Sequence, residues 1–102
     1  MKPSKHEHDL VLKAIIEHYT STQFTAQRLA EIIGITEKRL NDICHTHFGK
    51  TPARLIQNYR IQRALEYHAE MGEENFNCIL VGFDNHRRYV TALKKYRSTL
   101  KQ

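Results

Sequence analysis

Apolar residues return along most of the chain every three or four positions, the repeat of an amphipathic helix. Leu10, Val11, Ala14, Ile15, His18 and Tyr19 predict an opening helix that the polar Ser21-Thr22-Gln23 breaks. Thr25 suits the N-cap of a second helix with Leu29, Ala30, Ile32 and Ile33 inward. Gly34 falls where that helix must stop, a place that commonly needs a left-handed backbone. Thr36 caps a third helix with an inner face of Leu40, Ile43 and Cys44 plus His47 or Phe48, and Gly49 ends it. Thr51-Pro52 opens a fourth, Thr as cap and Pro at the first helical position. It runs to about Ala69, with Leu55, Ile56, Tyr59, Ala64, Leu65 and His68 inward, and Met71-Gly72 closes it. A short apolar stretch from Phe76 to Val81 then leads to Gly82-Phe83. A last helix starts near Asp84 or Asn85 and turns Tyr89, Leu93 and Tyr96 inward. No two-residue alternation marks a strand.

Helix, tight turn at Gly34-Ile35, second helix, break and longer helix make the pattern of a helix-turn-helix, which sets one helix into the DNA major groove. A weak repeat reinforces it: Gly34-Ile35 and Gly82-Phe83 lie 48 residues apart, each followed by a polar cap and a helix. At 1.5 Å per residue the helix between them spans roughly 28 Å. One turn of B-DNA is about 34 Å, so a rigid spacer of that size can hold two reading helices in successive grooves. The expected fold is all-α, two helix-turn-helix subdomains on a long linker helix. Its expected division is a flexible tail over 1–8, a first subdomain over 9–50, a linker over 51–70 and a second, degenerate subdomain over 71–102.

Charge supports that picture without deciding it. The net charge is +5, and 52–102 carries nine Lys/Arg against five Asp/Glu while 1–51 carries seven against six. A basic excess suits phosphate neutralisation, and equally a solvated basic surface. Cys44 and Cys78 are far apart inside apolar stretches, as expected of buried thiols in a reducing, cytoplasmic setting. The polar start from Met1 to His8 is no signal peptide, and no apolar run approaches the roughly 18 residues of a membrane span.

The residues at fixed spacing resemble the DNA-binding domain of the AraC/XylS transcription regulators. Phe24-Thr25-Ala26-Gln27-Arg28-Leu29-Ala30 is similar to the start of that family's first motif, Gly34-Ile35-Thr36 to its turn, and Gly49-x-Thr51-Pro52 to its G-x-S-P linker start. Ile56, Arg60, Ile61 and Ala64 match later linker positions. In the second unit Val81-Gly82-Phe83 matches the turn, and Tyr89, Leu93, Lys94 and Lys95 the last helix. Asn77 and Cys78 stand where the family has Ile and Ala, and Arg97 to Gln102 replaces its closing G-x-S-P-x-x-Y-R. The resemblance implies an all-helical, bacterial-type, nucleoid-associated regulator that binds double-stranded DNA; activation, if it occurs, would come from positioning near a promoter and touching RNA polymerase, and the sign of regulation stays open. No effector or dimerisation domain is legible, so the chain resembles a one-domain regulator or a domain of a longer one.

The family's base-contacting positions fall on Lys38, Asn41 and Asp42, and in the second unit on His86, Arg87, Val90 and Thr91. Lys and Arg can donate to guanine, Asn can bond adenine in two places, and Asp can accept from cytosine N4. Val and the Thr methyl can meet a thymine methyl. Phosphates would meet helix starts at Thr25, Thr36 and Thr51, with Arg28, Arg39, His45, Lys50 and Arg54 nearby. Arg88, Lys94, Lys95 and Arg97 are phosphate contacts or solvated charges, and Arg60 is expected to pack or pair within the protein. Cys44-His45-x-His47 does not share one helical face, so no metal is expected. No cofactor and no catalytic set is expected either. The rival reading is a helix-turn-helix scaffold turned protein-interaction module, which Asp42 and the altered second unit would suit.

Overall fold

The computed structural model describes residues 5–72 and 77–100, with side chains described to Ser98. Among these residues the chain forms five α-helices and no strand. They are α1 (Lys5–His18), α2 (Ala26–Ile33), α3 (Glu37–Phe48), α4 (Pro52–Met71) and α5 (His86–Leu100), with a 3-10 turn at Cys78–Val81 before α5.

Local chemistry sets most boundaries. Thr25, Thr36 and Thr51 each accept the backbone N–H three residues on, from Arg28, Arg39 and Arg54 at 3.3, 3.0 and 3.2 Å, so three helices begin on the same N-cap. Gly34 ends α2 at φ +84°, a left-handed conformation that costs glycine nothing. Its N–H and that of Ile35 both reach the Ala30 carbonyl, tightening the turn into α3.

α1 starts at Lys5, so the stretch 5–8, expected as tail, is the first turn of a helix. Glu7 in that turn is bound by Arg39, 32 residues along the chain. Residues 1–4 of the expected tail, and Phe76, lie outside the described residues.

α4 is the spine. It packs against α2 and α3 of the first unit and against α5 and the 3-10 turn of the second, while α1 covers α2 and α3. A single core runs through both halves, with Val11, Ile15, Leu29, Leu40, Ile43, Ile61 and Val81 nearly solvent-free. Three expected inward residues are exposed. Ile32 on α2 is 47% exposed and Leu65 on α4 37%, at the edges of their buried stripes, about 60° round from Leu29 and about 40° from Ile61. Leu10 stands one position before the buried Val11 and is 37% exposed. The second unit lacks a described α-helix before its turn. Cys78–Val81 makes only one 3-10 turn, which Asn77 caps by accepting the Ile79 N–H at 3.1 Å.

The halves lock at Arg60. Its Nε donates to the Tyr19 carbonyl at 3.0 Å, and its Nη2 to those of Ser21 at 2.9 Å and Phe24 at 3.0 Å. These carbonyls belong to the α1–α2 connection, which has no helix ladder to satisfy them. Burial lowers the Arg60 pKa from its ordinary value, opposed by Asp84. Gly82 closes on the same point. A methyl placed on it would stand 2.1 Å from the Tyr19 carbonyl oxygen and 2.6 Å from Arg60 Nε.

Candidate nucleic-acid interface

α3 turns Leu40, Ile43 and Cys44 into the core and leaves Lys38, Asn41, Asp42 and His45 in solvent, as the 3.6-residue repeat requires. Beside this outer face lies a cleft of about 470 Å3, where Arg39, Asn41, Asp42 and His45 meet Lys50 and Thr51. A larger groove of about 790 Å3 runs between the two units. Thr25, Thr51 and Arg54 line it from the starts of α2 and α4, and Arg87, Arg88, Thr91 and Lys95 from α5. Thr51, at the start of α4, lines both hollows.

The groove is cationic. Arg54, Arg60, Arg87, Arg88 and Lys95 line it against a single carboxylate, Asp84. That carboxylate pairs with Arg88 at 3.6 Å, both groups well exposed, an arrangement that contributes little in water and yields readily to another anion. The starts of α2 and α4 add backbone N–H groups and the positive ends of two helix dipoles. On chemical grounds the groove can hold a run of anionic oxygens along its length, with amide and carboxylate groups on α3 beside it.

The two hollows thus gather Asn41, Asp42, Arg87 and Thr91 of the expected base contacts. Of the expected phosphate contacts they gather Thr25, Arg39, His45, Lys50, Thr51, Arg54, Arg88 and Lys95. Others stand apart. Lys38 and Thr36 are exposed on the first turn of α3, outside both hollows. Arg28 pairs with Glu31 at 3.3 Å beside a separate hollow between α1 and α2. His86 is exposed with its ring 6.0 Å from that of Tyr89, and Lys94 is exposed outside the groove. Val90 is half-buried and packs on the core. Arg39, which does line the smaller hollow, spends its guanidinium on Glu7.

Two polar groove residues, Gln57 and Asn85, were not among the contacts expected from the sequence. Gln57 lines the groove one helical turn beyond Arg54, a spacing that would have revealed it. Asn85 caps α5 by accepting the Arg88 N–H at 2.9 Å and thereby sets which α5 residues enter the groove. Cys44, His45 and His47 diverge as their spacing predicts. The first is in the core with its thiol pushed up to about 11 by burial, the second is exposed, and the third packs beside His8 and Phe48. Among the described residues no three His, Cys, Asp or Glu side chains cluster to hold a metal ion. Nor is any described helix long and apolar enough to cross a membrane.

Two turn-helix units sharing one spine, with a cationic face between them, define an all-helical DNA-binding class. Residues 29–100 match the family described as Helix-turn-helix domain, and the chain belongs to this AraC-type family. Members are DNA-binding rather than catalytic domains, and the chain is accordingly a DNA-binding domain of transcription regulation. It is similar to the crystal structure of the C-terminal domain of the two-component response regulator yesN from Fusobacterium nucleatum. The TM-score is 0.78 and the identity 25%, over 90% of this chain and 98% of that one. No curated protein matches the chain.

Proposed function

We propose that this chain recognises a specific double-stranded DNA sequence by laying α3 in a major groove and bringing α5 toward the next. The observation that carries this is the cationic groove between the units, with the cleft beside α3 sharing its Thr51. Asn41 bonds adenine in two places, Lys38 reaches guanine from the first turn of α3, and Asp42 accepts from a cytosine amino group. In the second unit Arg87 reads guanine and the Thr91 methyl meets thymine, with His86 at the edge and Val90 supporting the helix from inside. Thr25, Thr36, Thr51, Lys50, Arg54, Arg88 and Lys95 hold the phosphates, with Arg28, His45 and Lys94 at the margin. At 20 residues α4 is about 30 Å long, near the ~34 Å of one duplex turn, which supports reading in consecutive grooves. Regulation then follows from occupancy of promoter DNA beside RNA polymerase in the cytoplasm, as the family resemblance implies.

Selection of bound sequences from a random duplex pool at near-physiological salt tests the proposal. Two enriched blocks about 10 base pairs apart are expected. Asn41→Ala should then cost about 1–3 kcal/mol on the selected site and little on random DNA, and Arg87→Ala should erase preference in the second block alone. One short block would confine reading to α3. Salt-sensitive binding without enrichment would leave a non-specific binder, and no binding at all would favour the interaction module.

A further inference from the structure

The first turn of α1 reaches across to α3. Arg39 Nη2 lies 2.9 Å from one Glu7 carboxylate oxygen and 2.7 Å from the other. The two side chains are 35% and 22% exposed, whereas Arg28–Glu31 stands at 64% and 54% and Arg88–Asp84 at 70% and 45%. Glu7–Arg39 is therefore the least exposed of these three ion pairs and the least open to screening by salt. Its acid is also held in place. The neighbouring His8 ring stacks on Phe48 at 4.7 Å and 16°, and meets the His47 ring edge-on at 5.4 Å. Arg39 nonetheless belongs to the cleft that holds Asn41, Asp42 and His45.

We propose that Glu7 is an internal competitor of the DNA phosphate: it holds the Arg39 guanidinium and so sets the sequence-independent part of the affinity. The inference rests on the reading that α3 faces DNA. A carboxylate and a phosphate present the same pair of anionic oxygens to a guanidinium. While Glu7 occupies Arg39, one cation on the reading helix releases no counterion from the duplex. The chain gives up part of its hold on any DNA, and the Asn41 and Asp42 contacts are untouched. The partner of the released guanidinium is a backbone phosphate flanking the bases that α3 reads.

The test is the salt dependence of binding to a random-sequence duplex, followed by fluorescence anisotropy with the full chain. Glu7→Gln is expected to steepen the slope of log K against log salt by about 0.9, the contribution of one phosphate. The fall in affinity from about 50 to 200 mM salt then grows by roughly a further threefold to fourfold. Glu17→Gln, the same change of net charge further along α1, should change the slope by less than half as much. Arg39→Gln tests the idea without touching α1: its slope should equal that of the unaltered chain, because no phosphate contact is lost. An unchanged slope in Glu7→Gln, or one shallower by about 0.9 in Arg39→Gln, overturns the inference while leaving DNA binding intact. Failure of the unaltered chain to bind any duplex overturns the reading beneath it as well.

Discussion

At the scale of single residues, Gly34 and Gly82 separate two costs that glycine positions usually mix. Both have positive φ, +84° and +95°, but a methyl on Gly34 meets nothing within 4 Å, while one on Gly82 strikes the Tyr19 carbonyl. Gly34→Ala should therefore cost only the left-handed strain, about 1 kcal/mol. Gly82→Ala should cost more than about 2–3 kcal/mol, because backbone must move as well. Urea unfolding of the two variants measures the difference, and equal midpoints would mean that the approach to Tyr19 carries no weight. Both glycines were legible in the sequence as turn positions. Neither the carbonyl beside Gly82 nor Glu7 beside Arg39 was, since both contacts join residues more than 30 positions apart and neither follows from periodicity.

The helices were legible in proportion to their punctuation. Thr51-Pro52 marks the start of α4 to the residue, and the threonines before α2 and α3 do the same. The 3-10 turn was not legible, because Cys78–Val81 is four apolar residues long and such a run has no period to read. Of the candidate site, the outer face of α3 came directly from its inner face. The sharing of Thr51 between its cleft and the α5 groove depends on how the two units pack on α4, which no local pattern encodes. α5 depends on a short-range device instead. Asn85→Ala removes the acceptor for the Arg88 N–H and should cost about 1 kcal/mol, whereas Asn85→Ser should retain most of the stability. Thermal melts followed by circular dichroism check this, and a loss shared equally by both variants would show that the cap is not what matters at that position.

For the molecule as a whole, Arg60 decides whether the two units behave as one. The chain should unfold in a single transition, since one core and one guanidinium span both halves. Arg60→Met keeps the bulk but leaves the Tyr19 and Phe24 carbonyls without the guanidinium and Ser21 with the Phe24 N–H alone, for an expected loss of about 3 kcal/mol. Amide exchange should then show α2 opening before α5. Simultaneous opening of both helices in the variant would place their coupling in the apolar core instead. The far end of the spine has its own fastening, where the Tyr89 hydroxyl lies 3.3 Å from His68 Nε2. The knot of Arg60 and Gly82 also bears on how such domains can diversify. If α5 reads bases as proposed, base preference can change at exposed positions such as Arg87 and Thr91, which take no part in the knot. A second unit transplanted onto this spine, by contrast, should need a glycine at the turn, since a methyl there would strike the Tyr19 carbonyl and Arg60. On the proposed reading, a new operator would thus be reached with less structural cost by point changes on α5 than by exchanging the whole unit.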